Sequence, residues 1–290
     1  MIKAFLFILI VLSSCASINN APFEEYNDAI KDNTDSLERK ISNISDYSKD
    51  IYILEVSLEL EEIQDIRIER NNSFEYNKER MFFDIIQDTL NKVERFNEFL
   101  LNYSGSLHAL ASDDLNVESS IISMRNSLES VSNDLNISNE ITNRSLSAIS
   151  TILNISYERK TYKLRKELIH DLAESNSQLI DRILSIYIDI IHDLEFSLYD
   201  YYSRTFFYLE DVLFYKEDFL ERRAMAQELY SLNNDYYNSL QKIKTLENNF
   251  QLLKEYSGNF HEILLSKDFG ESEELLDFVE RNYEFYEGLN

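Results

Sequence analysis

Residues 187–220 read YIDIIHDLEFSLYDYYSRTFFYLEDVLFYKEDFL. Tyr187, Leu194, Tyr201, Tyr208 and Tyr215 recur every seven residues, and Ile191, Leu198, Thr205, Val212 and Phe219 follow each of them by four. At about 100° per residue these positions share one helical seam. A second line, Tyr199, Tyr202, Phe206, Leu209, Leu213 and Leu220, lies beside it and widens the apolar arc to about 200°. A two-stranded rod needs a narrower stripe, so a helix this wide in its apolar face demands two or more neighbours. The periodic pattern extends back to Leu168. A single helix of about 50 residues, about 75 Å long, at the centre of a bundle is the expectation.

Working outward, the distribution of breakers makes the whole chain all-α. The 290 residues include four glycines and one proline, and residues 23–104 and 106–257 contain neither. A β-protein of this size needs tight turns that these residues normally supply. Helix ends then fall to Asn, Ser and Asp clusters, whose side chains compete for backbone hydrogen bonds. The candidate breaks are Asn71-Asn72-Ser73, Ser104-Gly105-Ser106, Ser112-Asp113-Asp114, Asn133 to Asn139, Ser175-Asn176-Ser177, Asn233-Asn234 and Ser257-Gly258-Asn259. Apolar stripes between them support an elongated multi-helix bundle of long, coiled-coil-like antiparallel helices. They include Ile30, Leu37, Ile41 and Ile44, then Val93, Phe96 and Leu100, then Ile121, Leu128, Val131 and Leu135. Near the C-terminus, Ser272 is placed to cap a short helix carrying Leu275, Val279, Tyr283 and Tyr286 on one face. Residues 23–290 are expected to form one helical bundle, with 23–104 as a candidate separable N-terminal arm.

Phe196, Phe207 and Phe214 fall within about 20° of one another on the side of the long helix that otherwise carries Asp200, Ser203, Glu210 and Asp218. They either pack against a third neighbour, the default in a bundle, or form an exposed aromatic patch of the kind that marks partner sites. Arg159, Lys160, Lys163, Arg165 and Lys166 concentrate positive charge, whose expected use is pairing within the chain.

Glu167 and His170 have the Glu-x-x-His spacing of di-iron bundles, which puts both side chains on one helical face, and Asp189 and His192 repeat it with aspartate. With 53 acids in 290 residues, four histidines give nearly one such match by chance. A di-metal enzyme is therefore the weakest of the functional alternatives. The chain has no Gly-rich phosphate loop, no Gly-x-Ser-x-Gly and no His-Glu-x-x-His. No enzyme and no cofactor are expected.

At the N-terminus, Lys3 precedes the apolar run Ala4 to Leu12, and Leu12-Ser13-Ser14-Cys15 ends it with the only cysteine of the chain. This segment resembles the lipobox of bacterial lipoprotein precursors. The resemblance implies removal of residues 1–14, acylation of Cys15, and a lipidated tether over 15–22. Nine apolar residues are too few for a bilayer span, which needs roughly 20. Two or more acyl chains would hold the mature chain at a membrane surface without crossing it. Ala16 implies the outer rather than the inner membrane by the same resemblance. The stretch Tyr103-Ser-Gly-Ser-Leu107-His-Ala-Leu110-Ala111 resembles segments of uncharacterised helical envelope proteins, and brings no function with it.

Loss of residues 1–14 would remove one of the 28 Lys and Arg and none of the 53 Asp and Glu, moving the net charge from −25 to −26. Such a field repels phosphate backbones and anionic headgroups, so nucleic acid is not an expected partner. The membrane would be held through the N-terminal acyl groups alone. The expectation is a lipid-anchored, non-enzymatic scaffold or interaction protein of the bacterial envelope, facing the periplasm or the exterior. A surface-exposed adhesin or host-ligand receptor is the alternative.

Overall fold

The computed structural model describes residues 18–62, 79–112, 117–135, 139–155, 162–266 and 269. Six α-helices account for nearly all of them: α1 (Ala21–Glu62), α2 (Glu79–Ser112), α3 (Val117–Asp134), α4 (Asn139–Ile155), α5 (Tyr162–Tyr215) and α6 (Phe219–Leu265). No strand occurs among the described residues. Cys15, the Asn71-Asn72-Ser73 cluster, Arg159, Lys160 and the segment from Ser272 to Tyr286 lie outside them. No described helix is long and apolar enough to cross a membrane.

The chain is an all-α multi-helix bundle that divides into two compact units. One comprises the described residues of Met1–Asp32, Arg95–Leu184 and Leu252–Asn290, the other those of Asn33–Glu94 and Ser185–Gln251. The helices α1, α2, α5 and α6 each contribute to both. In the first unit, Phe23 and Tyr26 of α1 meet Phe260 of α6 at 5.5 Å edge-on and 4.5 Å stacked. Asn102 of α2 donates to Ser127 of α3 at 3.2 Å, and Ser145 of α4 donates to the Ser175 carbonyl of α5 at 3.0 Å. The predicted stripe of α3 is buried at Ile121, Leu128 and Val131, as is Leu135 just past its end. In the second unit, Leu37, Ile41 and Ile44 of α1 are buried along with Val93 of α2, Tyr187, Ile191, Leu194 and Leu198 of α5, and Ile243, Leu246 and Phe250 of α6. Full burial of each such side chain is worth about 1.5–3 kcal/mol relative to exposure.

Four expected breaks are not breaks. Residues 104–106 lie inside α2, 175–177 inside α5, and 233–234 and 257–259 inside α6. At 104–106 and 175–177, hydroxyls and amides bond back to the preceding turn instead of ending the helix. Ser106 Oγ donates to the Asn102 carbonyl at 2.6 Å, and Asn176 Nδ2 donates to the Leu172 carbonyl at 2.8 Å. At Gly105 a Cβ would stand 4.0 Å from Asn27 Oδ1 of α1, an ordinary contact, and that oxygen accepts from Ser104 Oγ at 2.8 Å. At two other expected breaks the described helices have their bounds, α2 at Ser112, α3 at Val117 and Asp134, and α4 at Asn139, and the residues between lie outside the described ones apart from Leu135.

The long helix ends earlier than its pattern. Lys216, Glu217 and Asp218 are not helical, and α6 starts at Phe219, so Phe219 and Leu220 belong to a different helix from the seam they continue in sequence. Asp218 makes the turn. Its Oδ1 accepts from the amides of Leu220 at 2.7 Å and Glu221 at 3.1 Å, satisfying two of the donors a helix start leaves unpaired. The 54 residues of α5 make it about 80 Å long.

Candidate functional site

Along α5 in the second unit, burial fades after Leu198. Tyr201, Thr205, Tyr208 and Val212 of the seam are only half-buried, and Tyr215 is exposed. On the second line, Tyr199 and Phe206 are exposed while Tyr202 stays buried. The Phe196, Phe207 and Phe214 line stands 76%, 62% and 83% exposed, so the expected third packing neighbour does not cover it. Across the turn, Phe219, Tyr230 and Tyr237 of α6 are also exposed, and their 7- and 11-residue spacing again sets them within about 20° of one another. Free surfaces of soluble helices rarely collect large apolar side chains in this way.

Between the two helices runs a groove of about 440 Å³. Tyr199, Tyr202, Phe206 and Phe207 form its α5 wall, and Leu232 and Tyr236 its α6 wall. Ser203, Glu210 and Asn233 supply its polar groups. The tyrosines of the two walls pack together: Tyr236 lies 5.4 Å from Tyr202 and 6.5 Å from Tyr199, and 5.4 Å from its neighbour Tyr237, in tilted or edge-on geometries. Burial first, then the charge of Glu195, push the Tyr236 hydroxyl above its usual range. The groove opens beyond a cross-link in which His192 of α5 meets Glu247 of α6 at 2.8 Å. That hydrogen bond raises the affinity of His192 for its proton.

The remaining sequence candidates take other places. His192 is committed to Glu247, with Asp189 only adding its charge nearby. Glu167 faces Lys163 at 3.8 Å, and His170 lies 3.8 Å from Asp171. Among the described residues, the group able to share an ion is His170, Asp171 and Glu174, three neighbours on α5 alone. A di-metal bundle site takes ligands from several helices, and the two histidine pairs of the sequence fall in different units. In the basic cluster, Arg165 is buried and donates to the Ala111 carbonyl at 3.4 Å, while the Lys166 ammonium sits 5.1 Å over the Phe269 ring.

Sequence reasoning missed one polar cluster in the core of the first unit. His261 Nδ1 lies 2.6 Å from the Ser257 carbonyl and its Nε2 lies 2.6 Å from Tyr103 Oη. Nδ1 therefore carries the hydrogen and Nε2 accepts from the phenol, which burial holds well above its usual range. Ser257 Oγ completes the chain to Tyr26 Oη at 2.9 Å. Burial lowers the His261 pKa to about 4, against a smaller opposing effect of the Ser257 carbonyl. The ring is a neutral structural bridge. It joins residues 158 apart, a pairing no local spacing could announce.

Fold and groove together define a class: a helical bundle with an aromatic-lined surface between two long helices. No protein-family model, no curated protein and no solved structure matches the chain.

Proposed function

We propose that the chain is a lipid-anchored, non-enzymatic scaffold of the bacterial cell envelope that engages a protein partner through the groove between α5 and α6. The carrying observation is the exposed aromatic line Phe196, Phe207 and Phe214 on an otherwise acidic helix. Aromatic side chains lose little conformational entropy on contact and dominate the energetic centres of interfaces, so a cluster of this kind favours docking. The tyrosines of the walls combine an apolar ring with a donor, which suits the same role. The anchor is Cys15, on the strength of the Leu12-Ser13-Ser14-Cys15 resemblance, with the outer membrane as the address that Ala16 implies.

Two substitutions test the two halves separately. Cys15→Ser should move the folded chain from the membrane fraction to the soluble fraction; retention in the membrane would sink the anchor. Phe207→Ser with Phe214→Ser should leave membrane attachment unchanged and abolish recovery of a partner that the unsubstituted chain retains. Equal recovery by both forms would sink the docking surface.

A further inference from the structure

The groove carries more than apolar surface. Between Asp193 and Leu240 the chain has ten acids against four bases. Two of those bases are already engaged, Arg204 with Asp200 at 3.0 Å and Lys216 with Glu221 at 3.5 Å. Glu210 lines the groove itself, between the aromatic walls. A second copy of this chain would bring the same excess of negative charge against the first, so self-association is opposed where the aromatic side chains favour contact. Anionic lipid is disfavoured for the same reason. The charge complement is a basic partner.

Shape narrows the partner further. The aromatic line on α5 extends from Phe196 to Phe214, about 27 Å along the helix. On α6, Phe219, Tyr230 and Tyr237 stand about 40–60° outside the groove-lining Asn233 and form the opposite bank. Two helices with parallel apolar ridges and a furrow between them accept a third helix laid along the furrow. We infer that the α5–α6 groove binds an amphipathic helix of about 18 residues from a basic protein partner, with an apolar seam between the aromatic banks and Lys or Arg on its flanks. The inference rests on the docking reading above and specifies its partner.

Two synthetic helical peptides of about 18 residues, sharing one leucine seam, provide the probes. One carries Lys and the other Glu at the flanking positions, and fluorescence anisotropy follows their binding to the full chain. The Lys peptide should bind about tenfold or more tightly than the Glu peptide at low salt, and that preference should shrink severalfold at about 0.5 M salt, where charges are screened within a few ångströms. Phe207→Ser with Phe214→Ser should weaken the Lys peptide by about tenfold. Glu210→Lys with Asp211→Lys should cut the preference for Lys over Glu. All four positions are exposed, and unchanged helix content by circular dichroism will show that the variants fold.

Equal or reversed preference, with the phenylalanine dependence retained, would overturn the basic partner while leaving the docking surface standing. Binding of neither peptide would overturn both. Concentration-dependent self-association abolished by Phe207→Ser would assign the groove to a second copy and overturn the inference. Peptide binding that emerges only on deletion of residues 63–78 would assign the groove to the chain's own segment and overturn the inference as well.

Discussion

Acidification should destabilise the first unit through His261. Its folded-state pKa of about 4 lies below the ordinary value of 6.5, so the unfolded chain takes up a proton that the folded chain refuses. The stability contributed by the neutral ring is complete above pH 6.5 and is lost as the pH falls toward 4. Between about pH 7.5 and pH 5 the loss is about 2 kcal/mol, since each unit of difference is worth about 1.4 kcal/mol. The structural reason is local. A proton added at Nε2 would face the donating hydroxyl of Tyr103 at 2.6 Å in a buried site. Urea unfolding followed by far-UV circular dichroism, at several pH values, measures the effect. His261→Gln should be less stable at neutral pH by about 1 kcal/mol and should lack the extra loss on acidification. Every other ionisable group is common to the two proteins and cancels in the difference. Parallel stability curves for the two proteins from about pH 7.5 to pH 5 would refute the reasoning.

Two further expectations concern the fold around the groove. Asp218→Ala removes the acceptor for the amides of Leu220 and Glu221 and should cost about 1 kcal/mol in urea unfolding; no change would mean that water or another group caps α6. Phe250→Ala should cost about 3–5 kcal/mol, because its ring is fully buried 5.3 Å from Tyr187, whereas Phe207→Ala should stay within about 0.5 kcal/mol of the unsubstituted chain. Comparable losses at the two positions would mean that Phe207 is packed.

The helical class was legible because glycine and proline are nearly absent, and the backbone has little else with which to make a sheet of tight turns. Buried faces were legible from periodicity where a neighbour exists, as at Ile121, Leu128 and Val131. Periodicity reports which residues share a face. It cannot report how many helices arrive to cover that face, and for this reason Tyr199 and Phe206 read as core and are exposed. Helix ends were the least legible. Ser104-Gly105-Ser106 and Ser175-Asn176-Ser177 have the composition of breaks, yet back-bonding to the preceding turn and packing against α1 and α4 keep them helical. The turn at Lys216 to Asp218 has no glycine or proline to mark it, although Asp218 followed three residues later by Glu221 has the spacing of a helix-start signal. Of the candidate site, the phenylalanine line was visible in the spacing, while the α6 bank and Tyr236 needed the fold to bring them alongside.

Docking at the α5–α6 face is tested most directly by site-specific photo-cross-linking in living cells. A photoreactive phenylalanine analogue replaces Phe207 in one strain and Glu129, an exposed residue of α3, in another. A docking face at α5–α6 predicts one discrete adduct with a basic protein from position 207 and none from position 129. No adduct from position 207, or the same adducts from both positions, would contradict it.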